Sequence, residues 1–257
     1  MTDKDLKELL DTEAARINSP AFIGDDPVQF PRRFDDLRDI EITSLLTSSI
    51  AWGNRKMICR DCDRMLALMD NMPYAYMIDE GYEDLDDDSN IPRTFFNRHL
   101  KYFMRGLRRV YERHGSLQEF ARAERITDAD LPSWQLVAGL NRELDAANGA
   151  DADASVASRC LPQNLNTTAL KRVNMALRWL VRDDGIVDMG VWDVLKPSQL
   201  YIPLDVHVGD VSRELGLLTR KSDDKRAVLE LTENLRRYNP SDPVLYDYAL
   251  FGIGMNI

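Results

Sequence analysis

Tyr201-Ile202-Pro203-Leu204-Asp205-Val206-His207-Val208, running on to Leu215-Gly216-Leu217, is the stretch on which the reading of this chain turns. Its entry is apolar and extended, because Pro203 lacks an N–H and disfavours helix at Ile202. A helix-like run follows. Asp205 falls at its N-cap, where a carboxylate accepts backbone N–H bonds and meets the positive end of the helix dipole. That placement serves a plain structural cap as well as it serves a reactive acid. Its meaning depends on the company Asp205 keeps.

Outward from this point the chain keeps a helical period in almost every segment. Residues 3–17 put Leu6, Leu9, Leu10 and Ile17 on one face, with Thr2 as the cap. Asp39 is expected to cap a helix carrying Ile42, Leu45, Leu46 and Ile50, and further helices are expected over 55–71, 95–114, 133–147, 168–182, 207–215, 223–238 and 243–252. A short one is expected near Val191, and the acid-rich residues 79–90 read as a solvated loop. Strict two-residue alternation is nearly absent, so the expected fold is all-α. The small, polar run Asp145–Ser155 is the best linker candidate, which predicts one domain of two lobes joined near 145–165.

The 257 residues are enough for one large domain or two packed lobes. No apolar run approaches the length of a membrane span, so no membrane partner is expected. The charged start, Met1-Thr2-Asp3-Lys4-Asp5, lacks the apolar core of a signal peptide. Three cysteines give no disulfide framework, and a cytoplasmic location follows as the expectation. Cys59-Arg-Asp-Cys62 stands alone, without the second pair or histidine that a metal site needs, so no metal and no cofactor is expected.

The net charge of −10 argues against a nucleic-acid partner, since such affinity rests on cations that neutralise phosphates. The charge is segregated, however. Between Arg93 and Arg125 nine basic residues face only three glutamates. Arg98, Lys101, Arg105, Arg109 and Arg113 recur at helical steps opposite an apolar side containing Leu100, Phe103 and Leu107. Such a stripe suits a phosphate backbone, and it equally suits the acidic loop 79–90 nearby. The helix at 168–182 poses the same question. Val173, Leu177 and Leu180 make its core stripe, while Lys171, Arg178 and Arg182 follow helical spacing as a basic edge, or Lys171 points into a cleft with Arg172 and Arg178 as its neighbouring cations. A lysine becomes a nucleophile only where burial or neighbouring cations disfavour its charge.

Ile202 to Val208, followed by Val211-Ser212-Arg213-Glu214-Leu215-Gly216-Leu217, resembles the segment around the catalytic aspartate of helix-hairpin-helix DNA glycosylases. A wider set of stretches resembles a bacterial family of uncharacterised proteins distantly related to those enzymes. They include Asp26–Phe34, Lys171–Met175, Leu177–Arg182, Pro197–Leu217 and Tyr246–Gly252. The resemblance implies a two-lobed helical fold with the hairpin atypical or absent, because no Gly-x-Gly precedes Asp205 at the usual distance. Asp205 matches the catalytic acid. Lys171, some thirty residues upstream, resembles the nucleophile arrangement of archaeal 8-oxoguanine DNA glycosylases. The iron–sulfur cluster of some relatives is excluded, since no cysteine follows Cys160.

What the resemblance implies is a DNA repair glycosylase/lyase acting on an oxidised purine through a Lys171/Asp205 pair, with DNA as partner. Arg98, Lys101, Arg105, Arg109, Arg172 and Arg178 would meet the nucleic acid. The flipped base would enter a cleft between the lobes, with His207, Trp179 and Trp52 as supporting side chains. Two other functions stay open at this stage: a nucleic-acid-binding relative without catalysis, and a small-molecule or protein-interaction role on the same scaffold.

Overall fold

Thr2 and Asp5 open the first helix with a reciprocal cap: Thr2 Oγ1 accepts from Asp5 N at 3.2 Å, and Asp5 Oδ2 accepts from Thr2 N at 2.9 Å. The computed structural model describes residues 2–149 and 153–256, and the chain divides into two compact units. One comprises Met1–Gly24 with Asn166–Ile257, the other Asp25–Leu165. Among the described residues there is no β-strand, only an isolated antiparallel bridge between Asn90 and Phe96. None of the helices is long and apolar enough to cross a membrane.

The first unit contains α1 (Asp3–Ile17), α2 (Pro20–Ile23), α10 (Lys171–Val181), α11 (Val206–Glu214), α12 (Lys225–Arg236) and α13 (Tyr246–Met255). The α13 helix is its hub. It packs against α1 and α11, and its Gly252 lies against Ile17. Leu6, Leu10, Ala14 and Ile17 are the buried face of α1, as its period predicts, while Leu9 stays half-buried. No helix forms near Val191. Residues 182–196 instead fold back on the carbonyls that end α10: Met189 N donates to Trp179 O and Trp192 N to Leu180 O, each at 2.8 Å. Gly185 and Gly190 take positive φ in this segment, which interrupts any helical run.

The second unit contains α3 (Leu37–Ile50), α4 (Arg55–Leu68), α5 (Pro73–Ile78), α6 (Asn97–His114), α7 (Leu117–Ala123), α8 (Pro132–Asn148) and α9 (Ala154–Cys160). Asp36, not Asp39, caps α3, with Oδ1 accepting from Arg38 N at 2.8 Å. Asp39 sits in the first turn and accepts from Tyr74 N at 2.8 Å. Both positions suit an acid, because both lie at the positive end of the helix. The α4 helix stops short of residue 71, since Asp70 and Asn71 adopt left-handed φ values of 52° and 54°. The short helices α5, α7 and α9 escape a periodicity reading because six or seven residues hold too few turns to display one.

Within α3, every residue from Ile40 to Ile50 is buried, and among them is Glu41. Its carboxylate accepts from Tyr111 Oη at 2.8 Å and from the backbone N–H groups of Leu117 and Gln118 at 2.9 Å each. A buried acid is tolerated only with such partners, and these bonds join α3, α6 and the start of α7. The linker candidate, 145–165, holds the end of α8 and all of α9, while its residues 150–152 lie outside the described residues.

Helices α6 and α8 approach closely at Gly106 of α6. A Cβ placed there would come 2.7 Å from the backbone Cα of Leu144 in α8. Gly106→Val is therefore expected to lower stability by about 1–3 kcal/mol through overpacking. The measurement is the urea midpoint at unchanged slope.

Candidate active site

Lys171 and Asp205 meet within the first unit. Lys171 Nζ lies 3.5 Å from Asp205 Oδ2, with the two side chains 30% and 26% exposed. Local folding explains both positions. Leu170 is buried in a left-handed conformation, φ 52° and ψ 32°, immediately before α10. A non-glycine residue there costs roughly 1–2 kcal/mol, so packing must hold it. The bend makes Lys171 the first residue of the helix.

Asp205 is set by the extended, buried residues before it. Ile202 N donates to Thr232 Oγ1 of α12 at 3.1 Å, which pins the strand-like entry. Asp205 is then the N-cap of α11, as its sequence context predicts, with Oδ1 accepting from Val208 N at 3.1 Å. One carboxylate oxygen thus serves the helix end and the other faces the lysine. His207, two residues on, is exposed, and its backbone lies where a Cβ on Gly254 of α13 would come within 3.1 Å.

Behind the pair lies a buried ionic network. Arg178 and Arg182 share a face of α10 with Lys171, but they are only 4% and 2% exposed. The basic edge expected at these positions therefore turns inward beyond its first residue. Arg178 pairs with Asp247 of α13 and, at 3.2 Å, with Asp188. Arg182 pairs with Asp188, with Asp242 at 2.8 Å and with Asp184 at 3.0 Å. The Tyr248 ring lies 4.3 Å from the Arg178 guanidinium carbon. Four carboxylates meet two guanidinium groups here. Burial opposes the charge on Arg182, yet Asp188 and Asp242 more than offset it and raise its pKa. Burial pushes Asp188 up against the pull of both arginines. It pushes Asp247 up to about 6, with Asp205 also raising it and Arg178 and Lys171 opposing.

A family description, "Protein of unknown function (DUF2400)", matches residues 26–256. The chain belongs to the DUF2400 family. Comparison with the curated proteins and with the solved structures finds no match. The family match takes in Lys171, Asp205 and every member of the buried network.

The remaining site candidates scatter. Arg178 is enclosed by carboxylates and offers nothing to a phosphate, because helical spacing identifies a face without telling which side of it is wet. Arg172 is half-buried. Trp179 is fully buried, so its ring gives no open stacking surface. Trp52 belongs to the other unit, just after α3, and is half-buried. The stripe on α6 faces acids of its own unit: Arg98 pairs with Asp88, Lys101 with Asp87 at 2.8 Å, Arg105 with Glu83, Arg108 with Glu80, and Arg109 and Arg113 with Glu143 of α8. Residues 79–90 thus pack as a counter-charge to α6, and Tyr82 among them is buried. Cys59 and Cys62 are free thiols on α4, and burial pushes both upward. Among the described residues no cluster of three or more His, Cys, Asp or Glu is placed to hold a metal ion.

Sequence reading overlooked Asp247 and Asp188. The signal was present in Tyr246-Asp247-Tyr248-Ala249-Leu250-Phe251, where a lone acid interrupts an otherwise apolar helix. Such an acid is buried against a cation far more often than it is left bare.

Arg182→Ala would leave buried Asp188 and half-buried Asp242 short of a cation, and a loss of about 3–5 kcal/mol in urea unfolding is expected. Asp247 also links stability to pH. Its folded value lies above the ordinary 3.8, so its contribution is present below that value and is lost as pH rises through about 6. The stability of the natural protein relative to Asp247→Asn should therefore fall between about pH 4 and pH 6. Urea midpoints across that range check the sign.

Proposed function

We propose that this protein is a DNA glycosylase with lyase activity, acting on an oxidised purine with Lys171 as nucleophile and Asp205 as its carboxylate partner. The observation that carries this reading is the 3.5 Å approach of an amine and an acid distant in sequence, both partly open to solvent. The likeness of 202–217 to the catalytic segment of helix-hairpin-helix glycosylases supports it as well. Lys171 is the first residue of α10, which brings its amine to the N-cap carboxylate of α11.

The chemistry follows from the two groups. Asp205 takes a proton from the ammonium of Lys171. It then stabilises the positive charge that develops on the sugar as the glycosidic bond lengthens. The amine attacks C1′, the C1′–N bond breaks with its electron pair going to the base, and the base leaves with a proton. The sugar ring opens and the nitrogen sheds its remaining proton to give a Schiff base at C1′. Asp205, its proton passed to the departing base, then takes the C2′ proton from that Schiff base in its protonated form, the C2′–C3′ double bond forms, and the C3′–O bond breaks with its electron pair going to the 3′ phosphate, which cleaves the strand. The target nucleotide must leave the duplex stack to reach the pair.

A second reading, nucleic-acid binding without catalysis, is kept by the absence of a Gly-x-Gly hairpin before Asp205. One experiment separates the two. Oligonucleotides carrying an oxidised purine or an abasic site are incubated with the protein and borohydride. A covalent complex is expected, abolished by Lys171→Ala and slowed about 10²-fold by Asp205→Asn. Trapping that persists in Lys171→Ala removes the assigned nucleophile. A salt-sensitive gel shift without trapping selects the binding protein, and neither response directs attention to a small-molecule or protein partner.

A further inference from the structure

Helix α4 carries a basic row that its own acids do not match. Its exposed side shows Lys56, Arg60 and Arg64 at four-residue steps, which sets them about 6 Å apart along the axis and about 12 Å from first to last. Arg60 and Arg64 are 62% and 57% exposed and share a single carboxylate, the buried Asp61, at 3.3 and 3.9 Å. Asp63, the other acid of α4, is taken by Arg33 at 2.7 Å. Lys56 has no acid partner among the described residues. The row continues past the start of the helix. The guanidinium of exposed Arg93 lies against Gly53, where a Cβ would collide with it, and Arg93 too has no acid partner among the described residues.

Two features keep this row positive. The first turn of α4 holds no acid, and its N-cap is the neutral Asn54, whose Oδ1 accepts from Met57 N at 3.3 Å. Helices α3, α11 and α12 are capped by aspartates instead. The positive end of the α4 dipole therefore adds to Lys56 and Arg93 rather than meeting a carboxylate. On α6, by contrast, every cation of the stripe is paired with an acid of the same unit. In a chain of net charge −10 such a row inverts the local sign, and local potential governs what a surface attracts.

We propose that the row of Arg93, Lys56, Arg60 and Arg64 grips the phosphate backbone of duplex DNA. This names a surface that holds the substrate, and its choice of partner rests on the glycosylase reading. The face itself favours a polyanion over other partners. Met57, at 39%, is the large apolar side chain it exposes, whereas a protein interface needs an apolar core and a membrane-bound helix a whole apolar side. A duplex strand carries one phosphate per about 3.4 Å of its axis, so a row of this length meets several in succession. The guanidinium forks of the three arginines suit phosphate oxygens taken two at a time. Backbone contacts carry no sequence information, which suits an enzyme whose target is a lesion in any context.

The test uses the full chain and an undamaged duplex of arbitrary sequence, so it stands apart from the trapping experiment. Fluorescence anisotropy of the labelled duplex is followed between about 50 and 200 mM salt. Lys56→Gln/Arg60→Gln/Arg64→Gln is expected to weaken binding about 10²-fold and to flatten the slope of log K against log salt by about 2–3. That slope counts phosphates neutralised, which a merely structural role would not move. The triple variant strips Asp61 of both cations. Lys56→Gln/Arg93→Gln, which breaks no ion pair among the described residues, covers the case in which the triple variant fails to fold, and its slope should flatten by about 2. Arg98→Gln/Asp88→Asn removes a matched pair of α6 and should leave the slope unchanged. The proposal is overturned by an unchanged slope in a folded α4 variant, by an equal loss in the α6 variant, by no binding of the natural protein, or by polyglutamate of equal charge displacing nothing less than duplex does. Binding that depends on α4 without borohydride trapping leaves the grip standing and removes the lyase. Trapping at the natural rate in the α4 variants leaves the lyase standing and removes the grip.

Discussion

Two buried arginines at the end of α10 gather four carboxylates, two of them buried and two partly open to solvent, and the first unit is organised around that exchange of charge. Arg178 and Arg182 lie within the protein, and Asp188, Asp247, Asp242 and Asp184 come to them from α13 and the irregular segments on either side. Burying charge is costly, so each ion must find its partners with good geometry. That requirement locks the direction of α10, the course of residues 182–196 and the start of α13 together. It also explains why the segment after α10 is irregular. Its backbone is committed to the last carbonyls of the helix and its acids to the arginines.

The candidate site is the wet end of the same stripe. Lys171 is the first cation of α10 and the only one of the three that reaches solvent to a useful degree. Asp205 meets it from α11 while also capping that helix. One carboxylate therefore does a structural task with one oxygen and stays available with the other. The ionic network of the interior includes Asp247, whose carboxyl is pushed up by burial and by Asp205 and held back by Arg178 and Lys171.

The second unit solves a different problem with similar means. Glu41 is buried in α3 and satisfied by a tyrosine and two backbone donors, so it holds the first turn of α7 in place. Its charged helix, α6, is matched along one side by the acids of 80–88 and by Glu143. Exposed pairs of this kind contribute little stability each and exchange readily with other ions. Their value is in register: they lay an acid-rich segment with little apolar content against the helix that follows it.

Much of this was legible along the chain. The 3.6-residue period announced the long helices and an all-α fold, and Pro203 followed by Asp205 placed a cap at or near the position where α11 begins. Thr2 did the same for α1. Cap chemistry and period are local, and local signals survive in a linear string. The basic runs of α6 and α10 were equally visible, yet their surroundings were not. Helical spacing puts Lys171, Arg178 and Arg182 on one face, but only long-range packing decides that the first meets solvent and the others meet Asp188, Asp242 and Asp247. The approach of Lys171 to Asp205 was likewise beyond any local rule, because it joins the starts of two helices through a core neither of them contains. The sequence by itself determined that the chain folds as long helices and where the capped ones, α1 and α11, begin; the tertiary structure alone decided which charges face water and which face each other, since burial is a property of the whole fold and not of any segment.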